Sequence, residues 1–213
     1  VFLAEAGGMF GGAGTAGLVP TFCPFDDGVN VVTAGIGYEV RQKISAGTPL
    51  GTFGTPICVE ELKRVYDEMM EASGVDFSFF TSLVDVEMLH GRVTCAILSG
   101  KSGLYAVKAK IYIDCTGDGD LCAMAGAPFE IGDENGEVQP GTLCSLWADV
   151  DFRQRHVCDD SRLEEAFRDG VFRYEDRHLP GMFDTENGSN IAGGNLGHTH
   201  DLNPLDEKSL TRE

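Results

Sequence analysis

The stretch that most constrains the fold is IYIDCTGDGDLCAMAGAP, Ile111 to Pro128. Ile111, Tyr112 and Ile113 are bulky, strand-favouring and uncharged, which predicts a strand. Thr116-Gly117-Asp118-Gly119-Asp120 breaks that strand. Leu121 to Ala127 then resumes as a small-residue run suited to a helix, which Pro128 ends. A strand, a glycine-rich turn and a helix in that order place a ligand at the carboxyl end of a strand. There the backbone comes close, and N–H groups at the helix start can meet an anion. Taken alone, the turn reads as an ordinary strand-to-helix connection of an α/β domain.

A second stretch changes the weight of the first. Val1 to Leu3 predicts a short buried strand that ends in Glu5, followed by AGGMFGGAGTAG, Ala6 to Gly17. A carboxylate at a strand end can accept hydrogen bonds from both hydroxyls of a ribose. The glycines let the main chain lie against a phosphate or a flat ring without a Cβ in the way. Thr15 offers a hydroxyl donor. A flexible surface linker would also be glycine-rich, but Met9, Phe10, Leu18 and Val19 thread this one with apolar side chains.

The remaining elements follow from periodicity. Tyr38 to Ile44 predicts a short helix and Thr48 to Thr55 a loop, with the rest of Pro20 to Gly54 unassigned. Thr55-Pro56 reads as a helix start, with Thr as N-cap and Pro in the first turn. Val59, Leu62, Val65, Tyr66 and Met69 then form one apolar face, and Gly74 stands where a helix-ending glycine belongs. This helix is scaffold; its Tyr and Met stripe is packing. Asp76 to Phe80 predicts a strand. Leu83 to Met88, Val93 to Leu98, Leu104 to Lys108 and Ile111 to Ile113 predict a meander, with Val84 and Val86 alternating with Asp85 and Glu87 over one wet face. Beyond Phe129 the character shifts. Gly132 to Pro140 is an acidic loop, Gly141 to Val150 a strand, Asp160 to Gly170 a helix with i,i+4 charge pairs, Arg173 to Gly181 a charged loop or strand, and Asn187 to Asn203 a polar glycine-rich loop. The fold class is α/β, with a domain change near Phe129.

Composition narrows the function. The 213 residues suffice for one large or two small domains, and the 28 glycines are clustered rather than spread. A formal net charge of -18 argues against a nucleic-acid or anionic membrane partner. The seven cysteines are odd in number and scattered, with no CxxC pair, which fits free thiols in a reducing cytoplasm and removes a dithiol reductase. No apolar run reaches the length of a membrane span, and no basic stretch precedes an apolar one as in a secretory signal. The opening Val1-Phe2-Leu3-Ala4-Glu5 reads as the middle of a βαβ unit. The closing Ser209-Leu210-Thr211-Arg212-Glu213 reads as the capped start of a helix that does not follow. Both ends read as cut.

In this order the parts resemble the FAD-dependent oxidoreductases of the glutathione-reductase-like flavoproteins, distantly like fumarate reductase flavoprotein subunits. The resemblance rests on Glu5 followed by Gly11-Gly12-Ala13-Gly14-Thr15, on the helix Val59 to Gly74 leading into the meander at Leu83 and Val84, and on Ile113-Asp114-Cys115-Thr116-Gly117-Asp118-Gly119-Asp120, which is similar to the family's A-T-G-D-G-D turn. Ala125-Gly126-Ala127-Pro128, Gln139-Pro140 and Thr142-Leu143 continue it. Cys115 stands where the family more often has alanine.

The resemblance implies a Rossmann-like FAD-binding domain over residues 1–128, with 20–55 open to being an insertion, and part of an α+β substrate or cap domain over 129–213. It implies FAD as cofactor, with Glu5 at the adenosine ribose and Ala6 beside it. Gly11, Gly12 and Thr15 would line the pyrophosphate and ribityl side, Leu83 and Val84 would meet the adenine, and Cys115, Thr116 and Gly117 would pass close to the dinucleotide. The expected activity is hydride transfer between flavin and a small-molecule substrate. The family's G-x-G-x-x-G turn and late C-terminal segment are not among these residues, so missing terminal segments or another chain are expected to complete the flavin site. No catalytic residue stands out. His198, His200 and Asp201 form a polar cluster suited to a proton relay, a metal or, most simply, a hydrogen-bonded loop. Asp114, Asp118 and Asp120 lack the later ligands of a calcium loop. The rival from another class is a non-catalytic adenine-dinucleotide-binding or assembly module.

Overall fold

The computed structural model describes residues 1–44, 54–154, 161–171, 182–185, 190–200 and 202–212. Strand β1 (Phe2–Ala4) is followed by a short 3-10 turn at Gly12–Gly14, then β2 (Thr21–Phe22), helix α1 (Ile36–Ile44), β3 (Thr55–Pro56) and helix α2 (Val59–Ser73). β4 (Asp76–Ser78), β5 (Ser82–Leu89), β6 (Arg92–Gly100), β7 (Gly103–Val107) and α3 (Asp120–Met124) come next. The last part holds β8 (Gly141–Thr142), β9 (Ser145–Trp147), α4 (Ser161–Arg168), β10 (Met182–Asp184), β11 (Ala192–Gly194), β12 (His198–Thr199) and α5 (Glu207–Arg212).

The first part is a βαβ arrangement. β1 pairs in parallel with β4, Phe2 opposite Asp76 and Ala4 opposite Ser78, and α2 lies between them in the chain. Parallel neighbours need such a crossover, because a hairpin can join only antiparallel strands. α2 forms where the apolar period of 3.6 requires it. Val59, Leu62 and Val65 are buried, and Gly74 ends the helix in the left-handed region at φ 66°, a conformation that costs glycine no Cβ strain. The buried face meets α1 in a cluster of Val40, Ile44, Ile57, Leu62 and Val65, with Phe22, Tyr66 and Met69 against it. The wet face of α2 carries Lys63–Glu60 and Arg64–Glu68 pairs, exposed and therefore of small energetic weight.

The meander forms as read for three strands. β6 pairs antiparallel with β5 and β7, and the β5–β6 turn places His90 at φ 50° and Gly91 at φ 75°, the twist a tight hairpin needs. The clean alternation of Val84 and Val86 does not hold. The ladder passes from Leu83 opposite Leu98 to Asp85 opposite Ile97, so Val84 is bulged out and exposed while Val86 is buried.

Other expectations are corrected. Ile111 to Ile113 forms no strand: Ile111 and Ile113 are 77% and 75% exposed, and among the described residues no strand pairs with them. Tyr112 instead ties back to the end of β7, its hydroxyl accepting from Ala109 N–H at 2.9 Å. β1 is not buried; Phe2 is 41% exposed. Thr55-Pro56 does not begin a helix. It pairs with Thr21-Phe22, and α2 starts after Cys58, because two-residue pairing satisfies backbone groups that a helix start would leave open. Gly141 to Val150 divides into β8 and β9. Within 187–203, β11 is a buried strand between β9 and β10, and β12 pairs with β8. Ser209 lies inside α5, whose start is capped by Asp206 accepting from Lys208 N–H at 3.1 Å. In α4 the ion pairs seen join Arg168 to Glu165 and Asp169. The readings for 48–53, 173–181, 187–189 and Asp201 lie outside the described residues.

Candidate functional site

The end of β1 carries Glu5, half-buried, whose Oε1 accepts from Gly7 N–H at 2.7 Å. The chain then turns along β4. Phe80 N–H donates to Gly7 O at 2.9 Å and Thr81 N–H donates to Glu5 O at 3.0 Å. Glu5 and the start of the glycine stretch are thereby fixed to the β4–β5 connection, a rigid place for a strand-end carboxylate. Phe10 anchors the middle of the loop against Phe77 and Phe79, with ring centroids 5.1 and 4.8 Å away.

The glycines of the loop differ in kind. Gly11 is at φ 103°, and a Cβ there would lie 2.5 Å from the Tyr66 ring and 2.8 Å from Thr15 Cγ2. It is glycine because the loop packs onto α2. Gly14 sits over Leu62, with 3.1 Å from its would-be Cβ to Cδ2. Gly12, at φ 48°, would direct a Cβ into open space. Bare backbone facing open space, on a loop that begins at a strand-end acid, is what a dinucleotide needs for close approach. Thr15 is corrected as a hydroxyl donor. It is fully buried, and its hydroxyl donates to Phe10 O at 2.6 Å, so it holds the loop shut from inside.

The second turn is organised by Asp114, a role the sequence reading missed. Oδ1 accepts from Thr116 N–H at 3.0 Å and from the Thr116 hydroxyl at 2.8 Å, while Oδ2 accepts from Cys122 N–H at 2.9 Å. Thr116 Oγ1 in turn accepts from Asp120 N–H at 2.8 Å at the start of α3. Desolvation opposes the charge on Asp114, but the bonds from Cys122 N–H and Thr116 outweigh it and hold the carboxyl at about 2. The signal was present as an Asp two residues ahead of a Thr before a glycine, the spacing of a side-chain-closed turn. Gly117 is exposed, with room for a Cβ, and Cys115 is exposed. α3 lies against β5, the strand that carries half-buried Leu83 and bulged Val84.

Because its folded-state carboxyl sits below the ordinary 3.8, Asp114 adds stability that is present above pH 3.8 and is lost as pH falls through about 2. Asp114→Asn is expected to lower the melting temperature at pH 7 and to flatten the acid limb of stability below pH 4. Thermal melts of both proteins across pH 2 to 7 check this.

The third region lies around β11. A Cβ on Gly193 would meet Pro20 Cβ at 2.3 Å, so the β10–β11–β9 sheet closes on the exit of the glycine loop only because that residue is glycine. Asn195 Oδ1 faces Cys144 Sγ at 3.9 Å. His198 and His200 are half-buried and engaged in interactions of their own, and His198 stands opposite Thr142 in the β12–β8 pair.

Glu5 at a strand end, a glycine loop with one open face and a Thr-Gly turn closed by an aspartate lie within a stretch that one family model covers. The model of the FAD dependent oxidoreductases aligns with residues 1–203. The chain belongs to the FAD dependent oxidoreductase family. Among curated proteins, none matches it. The family is FAD-dependent and built on a Rossmann-like α/β fold, to which the parallel β1–β4 pair and the α2 crossover conform. The residues present suit the group: a half-buried acid for a ribose, and at Gly12 a bare backbone whose Cβ direction is open. Among the described residues no helix is long and apolar enough to cross a membrane.

Proposed function

We propose that this chain holds the adenosine diphosphate half of FAD in an oxidoreductase acting on a small-molecule substrate by hydride transfer to or from the flavin. The observation that carries the reading is the open face of Gly12 on a loop whose first residues are fixed to Glu5. Glu5, with Ala6 beside it, binds the adenosine ribose. The backbone of Gly11 and Gly12 faces the pyrophosphate, with Thr15 bracing it from within. Leu83 and Val84 lie toward the adenine, and Cys115, Thr116 and Gly117 pass the dinucleotide on the side that Asp114 shapes. FAD supplies the redox chemistry when bound; the protein binds, orients and sets the local field. Residues 129–213 belong to the substrate side. The protein works in the cytoplasm.

The test compares FAD with FMN, which lacks the adenosine. The purified protein is expected to retain visible flavin absorption after excess FAD is removed. Glu5→Gln is expected to weaken FAD by about 10- to 100-fold, from charge-assisted hydrogen bonds of about 1.5–3 kcal/mol, and to leave FMN unchanged. Equal affinity of the variant and the parent for FAD would remove Glu5 from the site. Bound flavin that no electron donor reduces would favour the non-catalytic module.

A further inference from the structure

The residue that the site leaves unused is Phe80. It has φ 50°, a backbone conformation that is a genuine outlier for a bulky aromatic side chain. It is also 70% exposed, so burial of the ring is not what holds the conformation. The tip of the ring meets the glycine stretch: a Cβ on Gly8 would be 2.6 Å from Phe80 Cζ. On the neighbouring Gly7, the would-be Cβ is 3.2 Å from Glu5 Oε1, and Gly7 O accepts from Phe80 N–H at 2.9 Å. Consecutive glycines thus carry the acid on one residue and the aromatic ring on the next. Strained positions persist where the surroundings over-determine them and concentrate at ligand sites. A turn that needed only the left-handed conformation would be served by glycine or asparagine.

We propose that Phe80 is the stacking platform for the purine of the bound dinucleotide, set beside the acid that holds the adjoining ribose. The inference rests on the reading of Glu5 given above and extends it to base recognition. Aromatic faces bind any flat base by stacking, and a strand-end carboxylate addresses a ribose diol. Together they select a nucleoside over a bare phosphate. Leu83 and Val84 follow on β5, so Phe80 takes over part of the role expected of them.

The experiment measures FAD and FMN affinity and apo-protein melting for Phe80→Gly and Phe80→Tyr. Phe80→Gly relieves the backbone strain, so its melting temperature is expected to hold or rise, while FAD weakens about tenfold and FMN is unchanged. Phe80→Tyr keeps a ring and is expected to restore FAD affinity. FAD affinity unchanged in Phe80→Gly, with Glu5→Gln still impaired, would overturn the stacking role alone. A parent protein that binds no FAD would overturn this inference together with the reading of Glu5. Equal losses for FAD and FMN would also overturn it, because a structural defect in the loop does not discriminate between them.

Discussion

Gly11→Ala is expected to destabilise the protein by on the order of 3 kcal/mol and to abolish tight FAD binding. Two effects add. At φ 103° an alanine is strained, and its methyl would overlap the Tyr66 ring at 2.5 Å and Thr15 Cγ2 at 2.8 Å. Neither neighbour can retreat easily. Thr15 is fully buried and bonded to Phe10 O, and Tyr66 packs on the core cluster between the helices. The loop must therefore lift off α2, and the Phe10 anchor lifts with it. Gly12→Ala is the informative partner. Its methyl meets nothing within 4 Å in the chain, so only the left-handed backbone is penalised, about 1 kcal/mol. Its effect on FAD is expected to exceed its effect on stability, since the methyl projects to where the pyrophosphate is proposed to lie. Urea unfolding of the apo proteins beside FAD titrations separates the pair. If Gly11→Ala melts like the parent, the loop is not packed on α2 as described.

Leu62→Ala is expected to cost about 2–5 kcal/mol, the range for emptying a fully buried leucine site. Leu62 has no exposed surface and lies among Val40, Ile44, Ile57 and Val65. The cavity would open directly beneath Gly14, whose would-be Cβ is 3.1 Å from Leu62 Cδ2, so the glycine loop would lose its floor. A drop in the urea midpoint with an unchanged slope is expected, with weaker FAD retention following from the softened loop. Glu68→Gln, which removes an exposed partner of Arg64 on the same helix, is expected to change stability by less than about 0.5 kcal/mol. Comparable losses in both variants would argue against a core centred on Leu62.

Much of this was legible because the signals are local. The α2 period, its closing Gly74, the hairpin turns and the order of Glu5, glycine loop and Thr116-Gly117 turn all act within a few residues of themselves. The family could be read from that order, and the model match over residues 1–203 agrees. What failed was non-local. Ile111 to Ile113 has strand composition, but a strand forms only when a neighbour completes its ladder, and composition does not supply one. Thr55-Pro56 carries a helix-start pattern, yet Thr21-Phe22 arrives from a distance and pairs with it. Thr15 has a donor hydroxyl, but only packing decides that it points inward to Phe10 O.

The sequence by itself determined the α/β class, the scaffold helix, three strands of the meander and the position of the glycine loop, because periodicity, capping and backbone freedom are properties of neighbouring residues. Only the tertiary structure decided which glycine is packed and which is open, that Asp114 closes the second turn, that Val84 is bulged out, and that Phe80 lies exposed on Gly8 beside Glu5. Each of these depends on where a distant or following segment comes to rest, and that position is set by the packing of the whole core rather than by any one stretch.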